Sequence, residues 1–305
     1  MKKVIFIGSV SYSGSTLLDM MLANDPHGFS CGEVQALFQP WRPHHLQPSC
    51  GCGDSTCTLW QNVRRAGKHR LYHTLFSHFP EVNFIVDSSK NPTWIHEQTV
   101  RLQHQNMDVQ HVLIWKTPLD SAASFQKRNR LALWEKHWIN YHRSYFTSID
   151  HWISISYREL IHDSTRFAQL CHQLDIPYFE GKHRYWEKTH HTLFGNTSAK
   201  IHLYAPQTAT YETAKVELTQ HTHPAQMAHQ QIYYPDIHDR ALVEFVRRAQ
   251  NRNPRFSDII RVLQHPQPVP LSHLAPLRFS RGEMVARQVK QALFRTLFRL
   301  RHPLS

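Results

Sequence analysis

A chain of 305 residues, 41% hydrophobic and 19% charged, can bury a substantial core and lacks the composition of a disordered protein. Its formal net charge of +12, with 25 histidines as a further reserve on acidification, predicts an anionic partner such as a nucleotide, a nucleic acid, an anionic lipid or a sulfated glycan. No apolar run reaches the ~18 residues of a membrane span, and five cysteines supply no even-numbered disulfide framework, which fits a reducing cytoplasm. The apolar residues behind Lys2 and Lys3 are too few for a signal peptide.

Val4-Ile5-Phe6-Ile7 has the length and β-branching of a buried strand. Gly8 and Gly14 bracket a loop of small residues, and Leu17, Leu18, Met21 and Leu22 line one side of a helix that starts at once. A strand, a small-residue loop and a helix start make an anion cradle, because free N–H groups and the helix dipole point at one spot. The string from Gly8 to Thr16 keeps a P-loop outline but lacks the lysine after Gly14, so it suits a 5′-phosphate-type anion better than a magnesium triphosphate. Tyr12-Ser13-Gly14-Ser15-Thr16-Leu17-Leu18 resembles the 5′-phosphosulfate loop of sulfotransferases, R/K-S-G-[ST]-T-L-L in the bacterial and Golgi-type branches. That resemblance makes Tyr12, Ser13, Gly14, Ser15, Thr16 and Leu17 donor-binding residues.

Asp25-Pro26-His27-Gly28 is a turn, and Glu33 sits where a second loop returns toward the first helix. Protein-tyrosine sulfotransferases carry a Cys-Gly-Glu-Glu run here that supplies the catalytic base; this chain has Cys31-Gly32-Glu33-Val34. The resemblance implies Glu33 as base, against the alternative of a surface or capping glutamate. Residues 39–48, rich in Pro, His and Gln, read as a flexible part of a lid. Cys50, Cys52 and Cys57 resemble the C-x-C-G…C…W segment of bacterial sulfotransferases and read as a structured loop near the acceptor entrance. Zinc is the other reading of the three thiols, with Cys31, His44 or His45 as fourth ligand, although the spacing is not that of a standard finger.

Asn83-Phe84-Ile85-Val86-Asp87 is a second strand, followed by Ser88-Ser89-Lys90-Asn91-Pro92. The C-terminal end of a parallel strand faces the ligand crevice in an open α/β sheet, which lets Lys90 reach the same anion as the Gly14 loop. The turn resembles the V-D-x-S-K-x-P of bacterial sulfotransferases and the N-K-D-P turn of the tyrosine enzymes, which implies Lys90 as the catalytic lysine that stabilises the leaving group. His111-Val112-Leu113-Ile114-Trp115 is a third strand, running into Lys116. Sulfotransferases hold the donor's 3′-phosphate through R-D-P/G-R-x-x-x-x-S, and Lys116 and Ser124 have that separation, with Lys, Thr117 and Leu119 replacing Arg, Asp and Arg.

Residues 120–146 read as one helix whose stripe of Leu131, Trp134, Trp138, Tyr141 and Tyr145 is packing, with Arg128, Arg130, Lys136 and Arg143 on a solvated face and Lys127 near the donor. Residues 153–160 alternate as a strand and resemble the family's Y-E-D-L segment; Asp163-Ser164 then caps a helix. Residues 190–196 resemble a late H-x-x-x-G-N segment, and Lys200 is the nearest basic residue for the 3′-phosphate side. Residues 206–235 lie across the acceptor site or the edge of the protein, and 239–248 form an amphipathic helix. Pro266, Pro268 and Pro270 end the globular part. Residues 281–301 then make a basic amphipathic helix, with Val285, Val289, Leu293 and Leu297 every four residues, suited to a membrane surface or, equally, to docking on the core.

The resemblance covers about residues 4–205 and implies a three-layer, P-loop-like α/β domain with a central parallel sheet flanked by helices, its strands beginning near residues 4, 84, 111 and 153. Residues 1–265 form this domain and 266–305 a Pro-rich linker with the basic helix. It further implies a sulfotransferase using 3′-phosphoadenosine 5′-phosphosulfate (PAPS) as co-substrate, with no metal required. The acceptor is a small molecule, glycan or lipid-linked hydroxyl or amine, and no nucleic acid is expected. The cytoplasmic enzyme would touch a membrane peripherally, through residues 281–301. The alternatives are a P-loop-like small-molecule kinase and a non-enzymatic anion- or lipid-binding protein.

Overall fold

The computed structural model describes residues 2–204, 211–212 and 237–266, together with residues 285, 289, 292–294, 296–297 and 300. The first apolar run forms β1 (Lys3–Gly8), all six of its residues buried. A strand buried on both faces belongs in a parallel sheet covered by helices on both sides. Four further strands, β2 (Gly28–Gly32), β3 (Phe84–Asp87), β4 (Asp108–Trp115) and β5 (Ile153–Ser156), complete that sheet in the order β2-β3-β1-β4-β5. Every pairing is parallel. Phe6 lies opposite Asp87 on one side and His111 on the other, so the C-terminal ends of β3 and β4 flank that of β1.

Alternation along the strands divides the apolar interior into two layers. Val4 and Phe6 join the larger cluster, beneath the helices Leu59–Ala66, Leu71–His78, Pro92–His104 and Trp134–Ser148. The helices Arg240–Arg252 and Arg255–Gln264 pack on the same side. Ile5 and Ile7 face the opposite layer, built from the helices Ser15–Leu22, Tyr157–His162 and Ser164–Gln173. This is the expected three-layer α/β architecture. Trp134 and Trp138 are buried against Phe256, at ring separations of 5.4 and 5.2 Å, and Tyr145 is buried too, so these three members of the stripe are core as expected. Each such side chain stabilises the fold by ~1.5–3 kcal/mol through burial.

The chain leaves β1 for neighbours on both sides, β3 and then β2 to one side, β4 and then β5 to the other. Such a reversal of strand order opens a crevice at the C-terminal ends of the strands. All three loops singled out in the sequence begin there.

Several expectations need correction. β2 was not expected: its sequence, Gly-Phe-Ser-Cys-Gly, has no apolar run, and its pairing with β3 is interrupted between Ser30 and Gly32. The helix expected over 120–146 is two, Pro118–Gln126 and Trp134–Ser148, separated by a turn in which Asn129 takes a left-handed φ of 53°. The alternation at 153–160 stops as a strand at Ser156, which caps the next helix in a reciprocal box with Glu159. Residues 39–48 include a 3-10 turn, Pro43–Leu46, in which His45 is buried against Trp41 and Phe194. Asp163 caps Ser164–Gln173, as the sequence predicts, and the amphipathic helix expected over 239–248 runs Arg240–Arg252 with Asp239 as its cap. Residues 206–210 and 213–235, the Pro-rich stretch from 267, and most of 281–301 lie outside the described residues. Among the described residues no helix is long and apolar enough to cross a membrane.

Candidate functional site

The loop between β1 and the helix Ser15–Leu22 turns through two left-handed residues, Tyr12 at φ 71° and Gly14 at φ 96°. Only glycine fits at 14, where a Cβ would lie 2.3 Å from the Tyr157 ring. Gly14 is the N-cap residue and offers no side-chain cap, so the first N–H groups of the helix, at Ser15, Thr16 and Leu17, remain for a ligand. Ser13, Ser15 and Thr16 are buried around this cradle. Leu17 contributes only its backbone, its side chain lying in the apolar layer with Ile5 and Ile7. Thr16 accepts a hydrogen bond at 3.0 Å from the N–H of Asn196, which lays the 194–196 segment along the helix start.

Asp87, fully buried at the end of β3, organises the next loop. It accepts hydrogen bonds from the Tyr72 hydroxyl, the Trp94 indole and the Ser89 N–H at 2.7, 3.1 and 2.8 Å. Burial pushes its carboxyl up from the usual range, against these donors. Ser88 donates to Asp19 of the first helix at 2.6 Å, tying loop to helix. Lys90 follows in a left-handed backbone conformation, φ 68°. Its carbonyl accepts from the Tyr141 hydroxyl at 2.7 Å, and its ammonium pairs directly with the carboxylate of Glu33. Both partners are about five-sixths shielded, with side-chain exposures of 17% and 16%. Tyr141 also lies against the backbone of Ser9, which brings Lys90 next to the anion loop. Glu33 is fixed from behind by its own N–H, which donates to the Leu193 carbonyl at 2.8 Å.

Across β1, the end of β4 presents Lys116. Its Nζ donates to Ser124 Oγ at 3.1 Å and sits 4.4 Å from the centroid of the Tyr157 ring. Desolvation, outweighing the attraction of Asp120 and aided by Arg128 and Lys127, lowers its pKa to about 8. Arg128 lies 4.0 Å over the Tyr12 ring, and Arg130 reaches the Tyr12 hydroxyl at 3.2 Å. These two arginines therefore belong to the crevice and not to the solvated face expected of them; the break in the helix at Asn129 turns them inward. Their sequence signal was their position just past Ser124. Tyr157, read only as part of a strand, is the floor between Gly14 and Lys116. Tyr141, read only as packing, holds Lys90.

Lys200 is buried and donates to the Phe194 carbonyl at 3.2 Å; burial lowers its pKa, against the nearby Cys50 and Glu33. It stands on the Glu33 side of the crevice, whereas Lys116 and Ser124 stand on the other. The crevice thus has two cationic poles, one at β3 and one at β4, about two strand spacings or ~10 Å apart. A bare helix N-terminus lies between them. The buried hydroxyls of Ser9 and Ser121 lack a hydrogen-bond partner. Charged donors at both ends, a backbone cradle between them and spare hydroxyls fit a ligand carrying two separated anionic groups.

The fold is shared with solved structures. A sulfotransferase domain from the Synechococcus PCC 7002 olefin synthase superposes with a TM-score of 0.52 at 18% identity, over 88% of this chain and 96% of that one. A sulfotransferase domain from the curacin biosynthetic pathway gives a TM-score of 0.47 at 18% identity, over 83% of this chain and 97% of that one. No protein-family profile and no curated protein matches the chain. The architecture of this chain accordingly resembles that of the Synechococcus domain.

Proposed function

We propose that this chain is a sulfotransferase that moves a sulfuryl group from PAPS to an acceptor hydroxyl or amine. One observation carries the reading: Lys116 is bonded to Ser124 on one side of β1 while Lys90 is paired with Glu33 on the other, with the Gly14 loop between them. Lys116, Ser124 and Arg128 would hold the 3′-phosphate, and the N–H groups of Ser15, Thr16 and Leu17 the 5′-phosphate. Glu33 would take the proton of the acceptor as its oxygen or nitrogen bonds to sulfur. Lys90 would stabilise the bridging oxygen as the sulfur–oxygen bond to the 5′-phosphate breaks, leaving 3′-phosphoadenosine 5′-phosphate. In the ligand-free crevice Lys90 and Glu33 neutralise each other. Donor binding draws Lys90 toward the phosphate and releases Glu33 as a base.

The kinase alternative finds less support. The acid nearest the cradle on the next strand, Asp87, is enclosed by Tyr72, Trp94 and Ser89 and turned from a magnesium ion in the crevice. Calorimetry on a clamp variant tests the assignment. Lys116→Ala weakens 3′-phosphoadenosine 5′-phosphate by about 1.5–3 kcal/mol, the scale of a hydrogen bond to a charged group, and leaves AMP nearly unchanged. Equal losses for both ligands would remove Lys116 from the 3′ position.

A further inference from the structure

Cys50, Cys52, Cys57 and His191 lie beside the crevice and take no part in the proposed reaction. Their ligand atoms all fall within 4.8 Å of one another. His191 Nδ1 is 3.3 Å from Cys50 Sγ and 3.7 Å from Cys57 Sγ, and all three thiols are free. A tetrahedral zinc site, with Zn–S near ~2.3 Å and Zn–N near ~2.0–2.1 Å, needs edges of ~3.5–3.8 Å between its ligand atoms. Two of the spacings already stand close to that edge, and no other exceeds 4.8 Å. We propose that they bind one Zn²⁺ as a closed, structural Cys₃His site. This inference is independent of the donor reading above.

The backbone holds the cage from both sides. The Gly51 N–H donates to the Thr192 carbonyl at 2.9 Å, Cys50 bridges Leu193, and the Trp60 indole donates to the His191 carbonyl at 2.8 Å. Gly53, at φ 78°, turns the chain back toward Cys57 through a conformation that side chains rarely adopt. The His191 ring stacks on Phe29 at 6.3 Å, with an interplanar angle of 6°, which keeps Nδ1 aimed at the sulfurs. Three thiolates and one imidazole are a soft set that selects zinc over magnesium or calcium. Four protein ligands leave no open position, so the ion would act on structure and not on substrate.

What it would fix is the Glu33 side of the crevice. The strand-like segment after His191 receives the Glu33 N–H at the Leu193 carbonyl, receives Lys200 at the Phe194 carbonyl, and reaches Thr16 through Asn196. Zinc would clip the 50–57 loop to this segment and so hold Glu33 in place. His191 takes the fourth position expected of Cys31, His44 or His45, because its long separation in sequence is closed by the sheet edge.

The test is metal analysis of the full chain prepared under reducing conditions. The expected result is about one zinc per chain, retained through desalting. Cobalt in its place should give thiolate charge-transfer bands and the intense visible bands of a tetrahedral ion. Cys57→Ser and His191→Ala should each lose the zinc, while Cys171→Ser, outside the cluster, keeps it. Should those variants fail to fold, alkylation of the wild-type chain decides: zinc should slow modification of Cys50, Cys52 and Cys57 at least tenfold relative to the chelated chain. A reduced chain that takes up neither zinc nor cobalt, with thiols alkylating equally fast with and without zinc, would overturn the site.

Discussion

Lys90 carries a backbone conformation that costs a non-glycine residue on the order of 1–2 kcal/mol. The turn that imposes it is held by Asn91, whose N–H donates to the Ser89 carbonyl and whose side chain caps Thr93, and by Tyr141 on the Lys90 carbonyl. The consequence is that the ammonium faces Glu33 and not the solvent. If Glu33 is the base, Glu33→Gln lowers turnover by about 10²–10⁴-fold while donor affinity stays nearly intact, since glutamine keeps the shape but cannot take the proton. Bisphosphate release measured beside calorimetric donor binding separates the two effects. Unchanged turnover would move the base elsewhere.

At the scale of the element, the loop leaving β3 is anchored to the first helix through two buried carboxylates. Desolvation raises Asp19 from 3.8 to about 7, against the hydrogen bond from Ser88 and with a smaller push from the Asp87 charge. Between about pH 4 and pH 7 the folded chain therefore keeps a proton that the unfolded chain has released. The stability this confers is complete below about pH 4 and lost as pH rises through 7, at up to ~1.4 kcal/mol per pH unit. Asp19→Asn removes that dependence, so the stability difference between wild type and variant shrinks as pH falls from 8 to 4. Urea titrations at several pH values check it, and a pH-independent difference would contradict it. Asp87 and Ser88 are legible in the sequence as a strand end and part of the V-D-x-S-K-x-P turn; which acid anchors which element depends on partners such as Tyr72 and Trp94 and is not. The loops of β1, β3 and β4 were legible because apolar runs ended in Gly14, Lys90 and Lys116. β2 was hidden because Gly28, Ser30 and Gly32 carry no strand pattern. Ser156 and Glu159 carry a helix-start signal, S-x-x-E, which the alternation before it obscures.

For the whole molecule, the two helical layers account for the described chain through Gln264. Val285, Val289 and Leu293 are 56%, 63% and 56% exposed, whereas Phe294 is buried. We propose that these exposed residues, with the basic residues of the same sequence segment, form a lipid-facing surface. Ending the chain after residue 280 should leave donor binding unchanged and abolish sedimentation with anionic liposomes, and salt should weaken that sedimentation in the full chain. A truncated chain that melts lower would instead assign the segment to the core. A sulfotransferase held at a membrane would meet lipid-linked acceptors first.

The proposed function requires a crevice built for a nucleotide with phosphates at both the 3′ and 5′ positions. Calorimetry on the full wild-type chain with 3′-phosphoadenosine 5′-phosphate, AMP and magnesium ATP tests it most directly. The bisphosphate should bind at least tenfold tighter than either of the others, since it alone engages the Lys116 pole and the Gly14 cradle together. Tighter binding of magnesium ATP, or equal binding of AMP and the bisphosphate, would remove the 3′-phosphate from the Lys116 pole and the proposed donor with it.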